Sequence, residues 1–190
     1  MDLRVRREAV DQAQRYVQAR PVYLDTETTG IGPTAEIIEI GIVDQDGASL
    51  VDTLVKPLGR IEPAAMRVHG ITQERVQNAP PWTDVLPQVE AALNGRSIGV
   101  YNSEFDLRML KQSYQRNWIK WTLAEANFFC IMKLYARFIG EWDRRRGGYR
   151  YHSLDAAGRQ ARIPLPNSHR AVDDARLARA LLIYLSEWKG

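Results

Sequence analysis

The sequence predicts an α/β domain built on a sheet of mixed strand direction. Three observations lead there: short apolar runs alternate with stripes at helical spacing, one tight hairpin signal interrupts them, and the length suits a single core. The chain has 190 residues, 45% of them hydrophobic and 26% charged. That is enough to bury one core, and it is far from the composition of disordered or fibrous chains.

The elements follow in order. Val10, Ala13, Tyr16 and Val17 recur at helical spacing, so residues 6–19 read as an amphipathic helix that Pro21 stops. Val22-Tyr23-Leu24 is a short apolar run ending at Asp25, which predicts a buried strand that emerges at a site. Residues 36–43, rich in Ile, and residues 48–55 flank the turn dipeptide Asp46-Gly47 and read as a β-hairpin. Thr72 is placed to cap a short helix, with Glu74 in its first turn. Trp82, Val85, Leu86, Val89, Ala92 and Leu93 form a helical stripe that Asn94-Gly95 closes. Residues 97–101 predict a fourth strand, and Leu107, Leu110 and Tyr114 mark a helix beginning near Ser103. Residues 126–130 predict a fifth strand, followed by a helix through Ile139. Gly140 to Gly148 reads as a mobile loop, and residues 171–188 as the closing helix with Ala171, Ala175, Ala178 and Leu182 on one face.

Composition excludes several classes. The longest apolar run, Ala180 to Leu185, is far short of the roughly 20 residues that span a bilayer, so no membrane attachment is expected. The start, Met1 to Arg7, is charged and shows no secretory signal. A single cysteine, Cys130, makes neither an internal disulfide nor a cysteine-based zinc site, which suits a reducing, cytoplasmic compartment. Net charge is +3, an excess that permits a nucleic-acid partner without arguing for one. Its distribution says more: Arg137, Arg144, Arg145, Arg146, Arg150, Arg159 and Arg162 crowd one stretch. A solvated loop is the plainer reading of that run, and a gripped polyanion the sharper one.

Carboxylates carry the chemical signal. Asp25 and Glu27 stand two apart on a strand, so both leave the same face. Like charges about 4 Å apart repel by roughly 4 kcal/mol at an effective dielectric near 20. A divalent cation is the usual compensation, and oxygen ligands select hard ions such as Mg²⁺ or Mn²⁺ over zinc. Asp106 lies near the start of a helix after the fourth strand, a junction where α/β sheets present functional groups. At the last helix, Asp174 shares a face with Ala171, Ala175 and Ala178 and so points to the packed side, whereas Asp173 points more toward solvent. His169 would stand about 140° from Asp174 if both were helical, which places it in the loop or first turn. There, a histidine with its ordinary pKa near 6.5 suits general-base work.

Together these residues resemble the DnaQ-like 3′–5′ exonucleases, the DEDDh branch of the RNase H-like superfamily. Leu24 to Gly30, reading LDTETTG, is similar to the family's first motif; Tyr101 to Asp106 is similar to its N-x-x-F-D motif; and His169 to Asp174 fits H-x-x-x-x-D. Val68 to Thr72 matches an H-G-I-T loop, and Ser153-Leu154-Asp155 an S-L-D helix start. One departure is Phe129 to Met132, where relatives often carry an Asp-Thr pair; that position reads as sheet support.

The resemblance implies an RNase H-like mixed five-stranded sheet flanked by helices, with residues 1–20 as a helical extension and residues 21–190 as the exonuclease domain. It implies two divalent cations, Mg²⁺ or Mn²⁺, held by Asp25, Glu27, Asp106 and Asp174, with His169 as the base that takes a proton from water. It also implies that the backbone around Thr28, Thr29 and Gly30 lines the terminal nucleotide with Ile31 wedged beside its base, His69 and Asn102 being weaker candidates for the same pocket. Phe105 and the tryptophans Trp118, Trp121 and Trp142 read as packing, and His152 as an ordinary loop or helix-cap histidine. The implied activity is release of nucleoside 5′-monophosphates from single-stranded DNA 3′ ends. RNA trimming, a polymerase proofreading subunit and a non-catalytic binding module are the alternatives. A chain ending soon after its last helix, with no tail to tether a polymerase, favours a free-standing enzyme, with a homodimer open as its assembly.

Overall fold

Alternation along the first strand sorts its side chains onto two faces, and the remaining elements pack according to that sorting. The computed structural model describes residues 2–165 and 168–189. In chain order they form α1 (Leu3–Gln18), β1 (Val22–Thr28), β2 (Ile37–Val43), β3 (Ser49–Leu54), α2 (Pro63–His69), α3 (Gln73–Val76) and α4 (Trp82–Leu93). Then come β4 (Ile98–Val100), α5 (Ser103–Arg116), β5 (Phe128–Cys130), α6 (Ile131–Ile139), the two-residue strands β6 (Trp142–Asp143) and β7 (Gly148–Tyr149), α7 (Leu154–Gln160) and α8 (Ala171–Ser186).

Five strands make the main sheet in the order β3-β2-β1-β4-β5. The β1–β2 and β2–β3 pairs are antiparallel, and β1–β4 and β4–β5 are parallel. This is the mixed five-stranded sheet that the sequence predicts. Tyr23 and Val43 enter a core with α1, α6, α7 and α8 on one face. Val22, Leu24, Ile40 and Ile42 enter a second core with α4 and α5 on the other. Continuing the alternation carries Asp25 and Glu27 toward the α8 side and Thr26 toward the α5 side.

Two local features shape the site. The sheet lies so close under the start of α8 that a Cβ on Gly41 of β2 would come within 2.3 Å of Val172 N and 2.4 Å of Ala171 C. Gly41 pairs with Asp25, so this close approach brings the start of α8 beside that carboxylate. On its other edge β1 pairs with β4 only through Val22 and Tyr23, leaving its second half without a strand neighbour there. The start of α5 comes alongside that open half.

Several expectations need correction. β1 does not stop at Asp25 but runs to Thr28, because β2 pairs with it as far as Ile37. A helix that the periodicity does not reveal, α2, begins at Pro63 and ends at Gly70, whose φ of 67° closes it in the left-handed region. The stretch from Gly140 to Gly148 is not a structureless loop: Trp142 pairs with Tyr149 and Asp143 with Gly148 in an antiparallel ribbon. Trp121 does pack, edge-on to Tyr114 at 4.9 Å, and Phe105 leans on the α4–α5 core. Trp118 and Trp142, however, are 96% and 59% exposed. The leading helix α1 buries Ala9, Val10 and Ala13 in the same core as α8. Among the described residues no helix is long and apolar enough to cross a membrane.

Candidate active site

The acids singled out in the sequence arrive from three elements. Asp25 and Glu27 come from β1, Asp106 from the first turn of α5 and Asp174 from the first turn of α8. Asp106 and Asp174 are each 4% exposed. Thr26, on the opposite face of β1 from Asp25, donates its hydroxyl to Asp106 Oδ1 at 2.7 Å. The open edge of β1 thus lets α5 bring its acid alongside the strand from the second face.

Electrostatics show the four carboxylates as one group. Burial holds the Asp25 carboxyl well above the usual carboxylate range, and the negative charges of Asp106, Glu27, Asp174 and Glu39 push it further. Glu27 is pushed up to about 8 by burial and by Asp174, Glu39 and Asp106, with Arg170 opposing. Burial raises Asp106 against the pull of the Thr26 hydroxyl, and raises Asp174 to about 6 against the pull of His169. Acids that resist ionising together lack positive charge. An all-oxygen donor set of this kind fits a hard divalent cation.

His169 stands with two of these acids, Glu27 and Asp174. An imidazole nitrogen of His169 and carboxylate oxygens of Glu27 and Asp174 lie within 4.8 Å of one another. The histidine is exposed and sits outside the helix, as expected, at a φ of 52°. A non-glycine residue in the left-handed region costs of order 1 kcal/mol and persists where its surroundings over-determine it. Here both neighbours do so: Ser168 N–H donates to Asp174 Oδ1 at 3.2 Å, and the Arg170 guanidinium is held by a buried carboxylate.

That carboxylate is Glu39, which sequence reasoning missed. Glu39 pairs directly with Glu27 across the sheet and is 1% exposed. It accepts from Arg170 Nε at 3.0 and 3.1 Å and from Arg170 Nη2, and it accepts the Ala171 backbone N–H at 3.0 Å. One side chain therefore caps α8, neutralises its own charge and fixes the residue next to His169. Arg170 is the second miss and Gly41 the third.

The nucleotide-contact candidates form a loop that is already tightly bonded. Thr28 Oγ1 donates to the Gly30 carbonyl at 2.7 Å, Thr29 Oγ1 accepts the Glu36 N–H, and the Thr29 carbonyl accepts the Glu62 N–H. Ile71 N–H donates to His69 Nδ1 at 3.0 Å, so Nε2 carries the proton and donates to the Thr28 carbonyl at 3.2 Å. Burial lowers the His69 pKa, keeping it a neutral clamp on that loop. Ile31 projects from the loop at 75% exposure, and Asn102 is exposed at the start of α5 without capping it.

Comparison with known proteins agrees with this arrangement. A family model described as an exonuclease, RNase_T, matches residues 22–182. The chain is 34% identical over 182 residues to a protein of Escherichia phage 186 named "Uncharacterized exonuclease CP81", covering 93% of each. It is 28% identical over 179 residues to the DNA polymerase III subunit epsilon of Salmonella typhimurium, covering 88% of this chain and 70% of that one. The structure of Exonuclease X in complex with 5′ overhanging duplex DNA superposes with a TM-score of 0.63 at 29% identity, over 88% of this chain and 93% of that one. With the family model spanning residues 22–182 and the RNase H-like sheet in place, the chain belongs to the DnaQ-like 3′–5′ exonuclease family.

Proposed function

We propose that the chain is a metal-dependent exonuclease that removes nucleotides from the 3′ end of single-stranded DNA, releasing nucleoside 5′-monophosphates, with residues 21–190 as the exonuclease domain and residues 1–20 as its helical extension. The observation that carries this reading is the cluster of mutually repelling carboxylates Asp25, Glu27, Asp106 and Asp174 with His169 at its rim. These four acids would hold two divalent cations, Mg²⁺ or Mn²⁺. When bound, such ions supply Lewis-acid stabilisation of the reacting phosphodiester and acidify water.

The chain's own residues do the rest. The loop from Thr28 to Ile31 seats the terminal nucleotide, with Ile31 against its base and His69 holding the loop in shape. Asn102 stands at the same end of the sheet, at the start of the helix that carries Asp106. An imidazole nitrogen of His169 takes a proton from water as its oxygen bonds to phosphorus. The bond from phosphorus to the 3′ oxygen breaks and that oxygen takes a proton from solvent, to which His169 returns the one it accepted, leaving a free 3′ hydroxyl on the shortened strand and a 5′-monophosphate. His169 lies within 4.8 Å of two candidate metal-ligand oxygens and could itself ligate. The base assignment is preferred because a carboxylate set already offers hard ions the oxygen donors they favour, and an exposed imidazole is free to exchange protons. DNA as substrate draws support from the duplex DNA in the Exonuclease X complex and from the epsilon-type relative.

Digestion of 5′-labelled and 3′-labelled DNA and RNA oligonucleotides, each with Mg²⁺, Mn²⁺ or chelator, tests the proposal. The expected result is a ladder from 5′-labelled DNA, immediate release of label from its 3′-labelled counterpart, slower loss of RNA and no reaction in chelator. Oligonucleotides left intact with every ion would overturn it, and cleavage of RNA alone would move the substrate to RNA.

A further inference from the structure

The catalytic cluster is acidic, yet the arginine-rich stretch noted in the sequence takes no part in it. It forms the β6–β7 ribbon. Arg144, Arg145 and Arg146 lie in its turn, which Asp143 organises by accepting the Arg145 and Arg146 N–H groups at 2.9 and 3.2 Å. Among the described residues no carboxylate pairs with Arg144, Arg145 or Arg146, and all three are exposed. Aromatic rings line the stem: Trp142 meets Tyr149 edge-on at 5.4 Å, and the Arg146 guanidinium lies 4.1 Å from the centre of the Tyr151 ring.

The ribbon's foot is tied to the site's end of the sheet. Tyr101, at the C-terminal end of β4, donates its hydroxyl to the His152 carbonyl at 2.9 Å. The His152 ring is buried edge-on to Tyr135, 5.7 Å away, and 3.8 Å from Glu141 at the ribbon's base. Tyr101 directly precedes the turn into α5 that carries Asp106. Further contact runs through Lys133, which pairs with Glu104 of α5 and lies within electrostatic reach of Tyr151.

We infer that the β6–β7 ribbon is a strand-holding arm: its arginines contact phosphates of single-stranded nucleic acid a few nucleotides upstream of the 3′ end, and its exposed Trp142 offers a face to a base. The inference rests on the function proposed above for the substrate's identity. Exposed guanidiniums that no carboxylate pairs match phosphate oxygens, and aromatic faces stack bases without regard to sequence. Such an arm acts only on strands long enough to reach it.

The test compares the wild type with Arg144→Ala/Arg145→Ala/Arg146→Ala and with the corresponding triple lysine variant. Binding of a fluorescent oligodeoxynucleotide in chelator is followed by anisotropy across salt concentrations, alongside hydrolysis of a nitrophenyl ester of thymidine 5′-monophosphate with Mn²⁺. The alanine variant should bind the oligonucleotide about tenfold more weakly, with a log–log salt slope smaller by about 2 for three lost phosphate contacts. Its hydrolysis of the small ester should be unchanged, and the lysine variant should keep the wild-type slope. Unchanged affinity and slope in the alanine variant would overturn the arm. Failure of the wild type to hydrolyse the ester or any oligonucleotide would instead strike the proposed activity, while the anisotropy result would still decide the arm.

Discussion

Two halves of the site are held by different means. Asp25 and Glu27 lie on the central strand, where pairing with Gly41 and Glu39 on β2 fixes their backbone. His169 and Asp174 lie where a loop meets α8, and side chains fix them: Glu39 grips Arg170 and caps Ala171, while Asp174 receives the Ser168 N–H. The first half inherits the rigidity of the sheet. The second depends on a handful of replaceable contacts, so substitutions there should displace His169 and Asp174 while leaving Asp25 and Glu27 in place.

The largest effect is expected within the first half. Asp25→Ala should lower kcat/KM by at least about 10³-fold, because several kcal/mol of Lewis-acid stabilisation go with the ions it would hold. His169→Ala should cost roughly 10² to 10⁴-fold in rate, the range of a general base, without changing the thermal midpoint by much. Steady-state hydrolysis of the thymidine ester reads both, and wild-type turnover by either variant would remove its residue from the site.

Substitutions in the supporting contacts come next. Arg170→Met should destabilise the chain by about 3 to 5 kcal/mol, because it strands the buried Glu39 carboxylate. Glu39→Gln should cost less, since the Arg170 side chain is 34% exposed and can turn to water whereas that of Glu39 is 2% exposed. Urea unfolding of both variants checks the order, and equal losses would mean that the pair is not the latch described. Gly41→Ala forces a methyl group into the Ala171–Val172 backbone and should cost about 1 to 3 kcal/mol. Its kcat should fall more than its KM rises, because the change moves the start of α8 rather than the nucleotide loop.

The smallest effect concerns pH. Burial, with neighbouring negative charge, raises Glu27 to about 8 and Asp174 to about 6, above the unfolded carboxylate range near 4. The folded chain then binds more protons than the unfolded one between those limits, so stability without metal rises as pH falls from 8.5 toward 5.5. The melting midpoint in chelator should therefore rise measurably as the pH is lowered over that span. Saturating Mn²⁺ at pH 8 should remove the gain. A midpoint in chelator that falls as the pH is lowered would contradict the electrostatic picture.

Much of the site is legible in the sequence alone. The two-residue step from Asp25 to Glu27, the helix-start position of Asp106 and the shared face of Asp174 with Ala171, Ala175 and Ala178 follow from period. Glu39 is not legible there, because it sits inside the otherwise apolar run of β2 and its partner Arg170 is 131 residues away. Nothing local distinguishes a buried, paired glutamate from a solvated one. Gly41 hides for the same reason, since its role is set by a helix that packs from the far end of the chain. The β6–β7 ribbon escapes because strands of two residues carry no hydrophobic alternation, and arginine-rich, glycine-closed segments read as loops.

On the proposed reading, acids from β1, α5 and α8 together hold the cations while His169 does not. Calorimetric titration of Mn²⁺ into the wild type, Asp25→Ala and His169→Ala tests it most directly. The wild type should give a binding isotherm, His169→Ala nearly the same one, and Asp25→Ala none. Equal loss of metal in both variants would contradict it, making His169 a ligand rather than the base.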